Sequence, residues 1–156
     1  MKPLLVSIIL LTVLFNFGCG KNYRTETIIR EEAFNYQKIG RDAQSKNDWN
    51  KAVNYYKKAT YLDPYNAKIY NDMAVIYEKQ KLYALAEGSY KKAIEVDKDF
   101  LASYFNLGRL YEKMEMVDDA LFYYKQRVRL AQEEDDPWVW KAKSRIGYYE
   151  SINSEK

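Results

Sequence analysis

The side chains that do most enzymatic work are scarce in this chain. Among 156 residues there is no histidine, and the single cysteine is Cys19. Without histidine neither a Ser-His-Asp nor a Cys-His arrangement can form, which removes the commonest activated nucleophiles. The six glycines, Gly18, Gly20, Gly40, Gly88, Gly108 and Gly147, are too scattered for a phosphate-cradling loop. The acidic run Glu133-Glu134-Asp135-Asp136 offers carboxylates, but it lacks the alternating ligands and the glycine of a calcium loop. It reads as a solvated helix end facing Arg127 and Arg129. The expectation is a protein that is not an enzyme, with no cofactor and no metal. Cys19 keeps one chemistry: no disulfide is available to it within the chain, but its thiol can carry a lipid.

Composition leaves binding as the better-supplied function. The chain has room for one domain and a short extra segment, and 47% hydrophobic residues with sixteen tyrosines suffice for a core. The formal net charge of +3 is modest and the charges are interspersed, so no nucleic-acid partner is expected.

Residues 1–18 stand apart. Met1-Lys2 is a short positive start, Leu4 to Phe17 is mostly apolar, and Gly18-Cys19-Gly20 closes the run. This is the shape of a secretory signal, too short to span a membrane comfortably. It resembles a bacterial lipoprotein signal, in which the cysteine is diacylglycerated and becomes the new N-terminus. Three residues before the cysteine such signals usually carry leucine; here stands Asn16. The resemblance implies a lipid-anchored protein of the bacterial cell envelope, periplasm-facing or at the surface, bound to the bilayer through acylated Cys19. Residues 19–29 read as a tether, with Ile28 and Ile29 available to lengthen a first helix.

The remainder is organised by a repeat. Alanines stand at Ala52, Ala86 and Ala120, 34 residues apart. Tyr36, Tyr70 and Tyr104 keep the same period, as do Tyr56, Tyr90 and Tyr124, and Gly40, Ala74 and Gly108. Within one copy, Tyr36, Ile39, Gly40 and Ala43 are spaced to share one helix face, and Ala52, Tyr56 and Ala59 another. The polar Lys46-Asn47-Asp48 between them makes each copy a helix hairpin. A hairpin of this kind buries its second face only by stacking on the next copy.

These positions resemble the tetratricopeptide repeat pattern: aromatic, aliphatic, small and aromatic on a first helix, then Ala, aromatic, Ala and Pro on a second. The proline is Pro64 in the first copy and Lys98 in the second; the third carries Arg127 for alanine and Gln132 for proline. The resemblance implies an all-α, right-handed superhelical stack of three hairpins, at about 33–66, 67–100 and 101–134. Residues 135–156 read as a capping helix and tail: Asp136 and Pro137 make a good helix start, and Trp138, Ala142, Ile146 and Tyr149 share a face. The helix beginning near Asp118 is expected to run through Arg129 into Glu133.

In this family the first helices line a concave groove that holds a peptide segment or a partner helix. Carried over by position, the groove consists of Phe34, Gln37, Arg41 and Gln44, then Lys68, Asn71, Val75 and Glu78, then Ala102, Phe105, Arg109 and Glu112. Arg41 and Arg109 would give it positive ends around a neutral middle. The family's clamp for a C-terminal carboxylate falls on Gln37, Arg41, Asp72, Ala102 and Asn106, where an acid replaces an amide donor and both lysines are missing, so a chaperone tail is not the expected partner. The reading is of a membrane-tethered scaffold or adaptor that binds a partner protein. The alternatives are a homo-oligomer that self-associates through the capping helix or Trp140, and a glycan-binding accessory using the tyrosines.

Overall fold

The computed structural model describes residues 25–131 and 135–154; the signal-like segment with Cys19 lies outside them, as do Glu133 and Glu134. Among the described residues every regular element is a helix. α1 spans 25–45, α2 Trp49–Leu62, α3 Ala67–Lys79, α4 Tyr83–Val96, α5 Leu101–Lys113, α6 Val117–Leu130 and α7 Pro137–Ser154. The first six form three hairpins, and α7 follows as a single helix packed on α6. α1 starts before Arg30, so residues 25–29 extend the helix rather than the tether. α6 stops at Leu130, short of Glu133, because Ala131 turns into extended backbone. That turn brings Asp136 back onto Arg127.

Each hairpin closes with the same backbone device. Asn47, Lys81 and Glu115, again 34 apart, have φ of 58°, 60° and 61°. In the second copy the Leu82 N–H donates to the Tyr77 carbonyl at 2.9 Å and the Lys81 N–H to the Glu78 carbonyl at 3.0 Å. This paired ending satisfies carbonyls that a helix otherwise leaves open. None of the three is glycine, so each bears left-handed strain, least at asparagine. Asp48 then caps α2 by accepting from the Lys51 N–H at 3.2 Å, and Pro64 blocks its continuation two residues after Leu62.

Ala52, Ala86 and Ala120 are fully buried, as are Tyr56, Tyr90 and Tyr124. Each of these rings removes on the order of 200 Å² from water. Close approach is what the small residues provide: a Cβ on Gly40 would come within 2.7 Å of the Tyr56 ring, and one on Gly108 within 2.9 Å of Tyr124. The three buried hydroxyls are all satisfied within their own hairpin. Tyr56 donates to Gln44 at 2.7 Å, Tyr90 to Glu78 at 3.0 Å and Tyr124 to Glu112 at 2.8 Å. Ile39, expected inside, is 37% exposed, whereas its counterparts Met73 and Leu107, which have a hairpin before them, are 7% and 0% exposed. On α7 the buried residues are Val139 and Ala142, with Ile146 packed beside them. Asp136 caps that helix, accepting from the Trp138 N–H at 2.7 Å.

Candidate functional site

The groove positions fall into rows that the 34-residue period makes visible. Phe34, Lys68 and Ala102 are exposed, with Phe34 at 57%. Arg41, Val75 and Arg109 are half-buried. Gln37, Asn71 and Phe105 are buried. Gln44, Glu78 and Glu112 are the acceptors for the three tyrosine hydroxyls. Sequence spacing alone does not separate these rows, because burial here depends on the neighbouring copy.

The buried row ties the copies together. Asn71 Oδ1 accepts from Ser103 Oγ at 3.3 Å and from Asn106 Nδ2 at 3.0 Å, joining α3 to α5. Phe105 packs edge-on against Trp138, ring centroids 5.0 Å apart, and tilted against Tyr124 at 5.4 Å. It therefore serves the docking of α7. Gln37 Nε2 is buried without a hydrogen-bond partner.

The acceptor row also carries ion pairs from one copy to the next. Glu78, whose side chain is 5% exposed, pairs with Arg109 at 3.3 Å and with Lys113. Glu112 pairs with Arg145 of α7 at 2.6 Å. Burial opposes ionisation of Glu78, but Lys113, Arg109 and the Tyr90 hydroxyl outweigh it and hold the carboxyl below its usual range. The expectation of two matching positive ends is corrected here. Arg109 is committed to Glu78, while Arg41 has no ion-pair partner among the described residues and lies over the Phe34 ring, 5.8 Å from its centroid. Between them Asp72 faces Lys68 at 3.4 Å. Burial pushes its carboxyl up and Lys68 works against that rise.

The end of the groove nearest α7 holds a feature whose sequence signal was the departure at position 127. Ala59 and Ala93 are fully buried; Arg127, in the same place of the third copy, is 3% exposed. It is paired with Asp136, which it holds below the usual carboxylate range. Asp136, the last residue of the acidic run, is thus no merely solvated end: it ties α6 to the start of α7. Arg127, Ala102, Phe105, Asn106 and Trp138 line a pocket of roughly 140 Å³. Trp140 is 71% exposed and takes no part in the groove. Among the described residues no helix is long and apolar enough to cross a membrane.

Known proteins with this pattern are repeat-containing. A family model for the tetratricopeptide repeat matches residues 65–133, and a second for the TPR repeat matches 42–81. Stress-induced-phosphoprotein 1 of Caenorhabditis elegans is 36% identical over 66 residues, 42% of this chain and 21% of that protein. The chain thus spans about a fifth of the length of such curated relatives. Among solved structures, the Arabidopsis OM64 TPR domain superposes with a TM-score of 0.68 at 25% identity, covering 78% of this chain and 98% of that one. The first TPR of Spaghetti, bound to the HSP90 peptide SRMEEVD, has a TM-score of 0.69 at 18% identity, with coverage of 80% and 94%. With both models together spanning residues 42–133, three hairpins in phase and solved domains of the same stack, the chain carries a tetratricopeptide repeat domain, a protein-interaction fold.

Proposed function

We propose that this protein is a membrane-tethered adaptor of a bacterial cell envelope that holds a segment of another protein in the groove of α1, α3 and α5. The observation that carries the groove reading is the pair of Phe34, 57% exposed, and Arg41 above it, which has no ion-pair partner among the described residues. A large ring and a cation left open on the concave side, beside half-buried Val75, suit a segment with an apolar anchor and an acid next to it. Solved domains of this fold hold peptides, as the Spaghetti domain does. Here Asp72 stands where the carboxylate clamp needs an amide, and Asn106 is already bonded to Asn71, which argues for a partner other than a chaperone tail. The tether rests on Cys19 and its lipoprotein-like surroundings; two or three acyl chains give durable attachment where one does not.

The test is the double variant Phe34→Ala, Arg41→Ala. Neither side chain is in the core, so its melting temperature should stay within a few degrees of the parent while recovery of the partner from solubilised membranes drops at least tenfold. Unchanged recovery with an unchanged melt would remove the groove as the working surface. A second reading, self-association through α7, is favoured by Trp140 and Tyr148, 71% and 54% exposed, on one face with Ser144 and Gly147. In that case the same membranes would return only this chain.

A further inference from the structure

Arg127 is poorly explained as a packing residue. Its counterparts Ala59 and Ala93 pack the same position with a methyl group. The guanidinium is 3% exposed, and only Nη2 has a partner, the Asp136 carboxylate. Nε and Nη1 are buried with no hydrogen-bond partner. Buried donors left unmet are costly, so acceptor oxygens brought to them are strongly favoured.

The space beside Arg127 has the character such oxygens need. Phe105 and Trp138 supply apolar walls, and Ala102 and Asn106 complete a pocket of roughly 140 Å³, enough for a carboxylate on a short stem. Trp138 is 47% exposed, so the wall on that side borders solvent. The charges point to a single negative ligand. Asp136 offsets Arg127, and Lys141 adds one cation at the rim, its Nζ 4.1 Å from the centroid of the Trp138 ring. A planar guanidinium with open donors matches a carboxylate in shape and charge.

We propose that this pocket receives a carboxylate of the segment held in the groove, with Arg127 as its anchor. The site rests on the groove reading; it shares Ala102 and Asn106 with the clamp positions of the third copy, but its cation comes from α6 and not from a first helix. The carboxylate belongs either to the partner's C-terminus or to an acidic side chain, and small probes separate the two.

The full-length chain in detergent, with its arginine Nε–H and tryptophan indole resonances assigned, is titrated with N-acetylleucine, with the α-amide of N-acetylglutamic acid, and with uncharged N-acetylleucinamide. Both carboxylates should shift the Arg127 Nε–H and Trp138 indole signals saturably, and the tighter of the two identifies the source. Arg127→Ala, which installs the residue of the other copies, should abolish the Trp138 shift. Asp136→Asn, which removes the competing carboxylate, should tighten binding several-fold. If Arg127→Ala fails to fold by circular dichroism, Arg127→Lys, which keeps the charge but loses the fork, should bind at least several-fold more weakly than the parent. Equal shifts with the uncharged amide, shifts that survive in the folded Arg127 variant, or no saturable shift at all would overturn the proposal. If the probes fail while Phe34→Ala, Arg41→Ala still loses its partner, only the pocket falls and the groove reading stands.

Discussion

Replacing Glu78 with glutamine probes how the copies are held in register. Its carboxylate accepts from the Tyr90 hydroxyl at 3.0 Å, from Arg109 at 3.3 Å and from Lys113. Removing one partner of a fully buried ion pair costs about 3–5 kcal/mol. That figure is too large here, because the Arg109 and Lys113 side chains are 41% and 48% exposed and can turn to water. What is lost is charge assistance at the hydrogen bonds, and glutamine keeps only one carbonyl for its former donors. The expected loss is about 1–2 kcal/mol. Urea unfolding at neutral pH measures it, with Glu95→Gln as control: Glu95 meets Lys92 at 2.8 Å on the open surface, its side chain 69% exposed, and its loss should leave the midpoint unshifted. pH adds a second reading. The folded carboxyl lies below the unfolded value of 4.5, so its contribution is complete above that value and is lost as pH falls through it towards the folded one. The gap between parent and variant should therefore narrow below about pH 4.5. Equal midpoint shifts for the two variants, or a gap indifferent to acid, would refute the reasoning.

Three further outcomes are expected. Ala86→Leu should overpack the centre of the stack, where Ala86 is fully buried, and lower stability by about 1–3 kcal/mol; an unchanged denaturation midpoint would mean that the repeat register is wrong. Lys81→Gly should raise stability by about 0.5–1 kcal/mol, because relief of the left-handed backbone at φ 60° exceeds the entropy that glycine adds to the unfolded chain; a lowered midpoint would contradict that balance. Cys19→Ser should leave the protein unprocessed or release it from membranes, and normal maturation with full membrane retention would count against lipidation.

The fold was legible because its determinants are local and repeated. Ala52, Tyr56, Gly40 and their counterparts specify both the helix faces and the distance between helices, and the same spacing recurs in phase. The site was less legible, for a reason seen at positions 37, 71 and 105. These sit at equivalent places on three first helices, yet what each touches is set by the next copy, which the period does not describe. Phe105 looked like a groove residue until Trp138 covered it. Arg109 looked like an open cation, but its partner Glu78 lies 31 residues earlier, on the neighbouring first helix. On α7 the face expected through Trp138, Ala142, Ile146 and Tyr149 is drawn one residue early at its start: Val139 is buried and Trp138 is 47% exposed. The position that departed most from the pattern, Arg127, was visible as an exception, although its burial and its pairing with Asp136 required the turn after Leu130.

The central claim is that the concave side, and not the outer face or the Trp140 side of α7, meets another protein. Photo-crosslinking in cells tests it most directly, with the probe placed at Phe34, at Val75, at Tyr61 on the outer face of α2 and at Trp140, Tyr61 being 86% exposed. The account predicts adducts to one foreign protein from positions 34 and 75 and none from 61. Adducts confined to 61 or 140, or adducts from every position that contain only this chain, would contradict it.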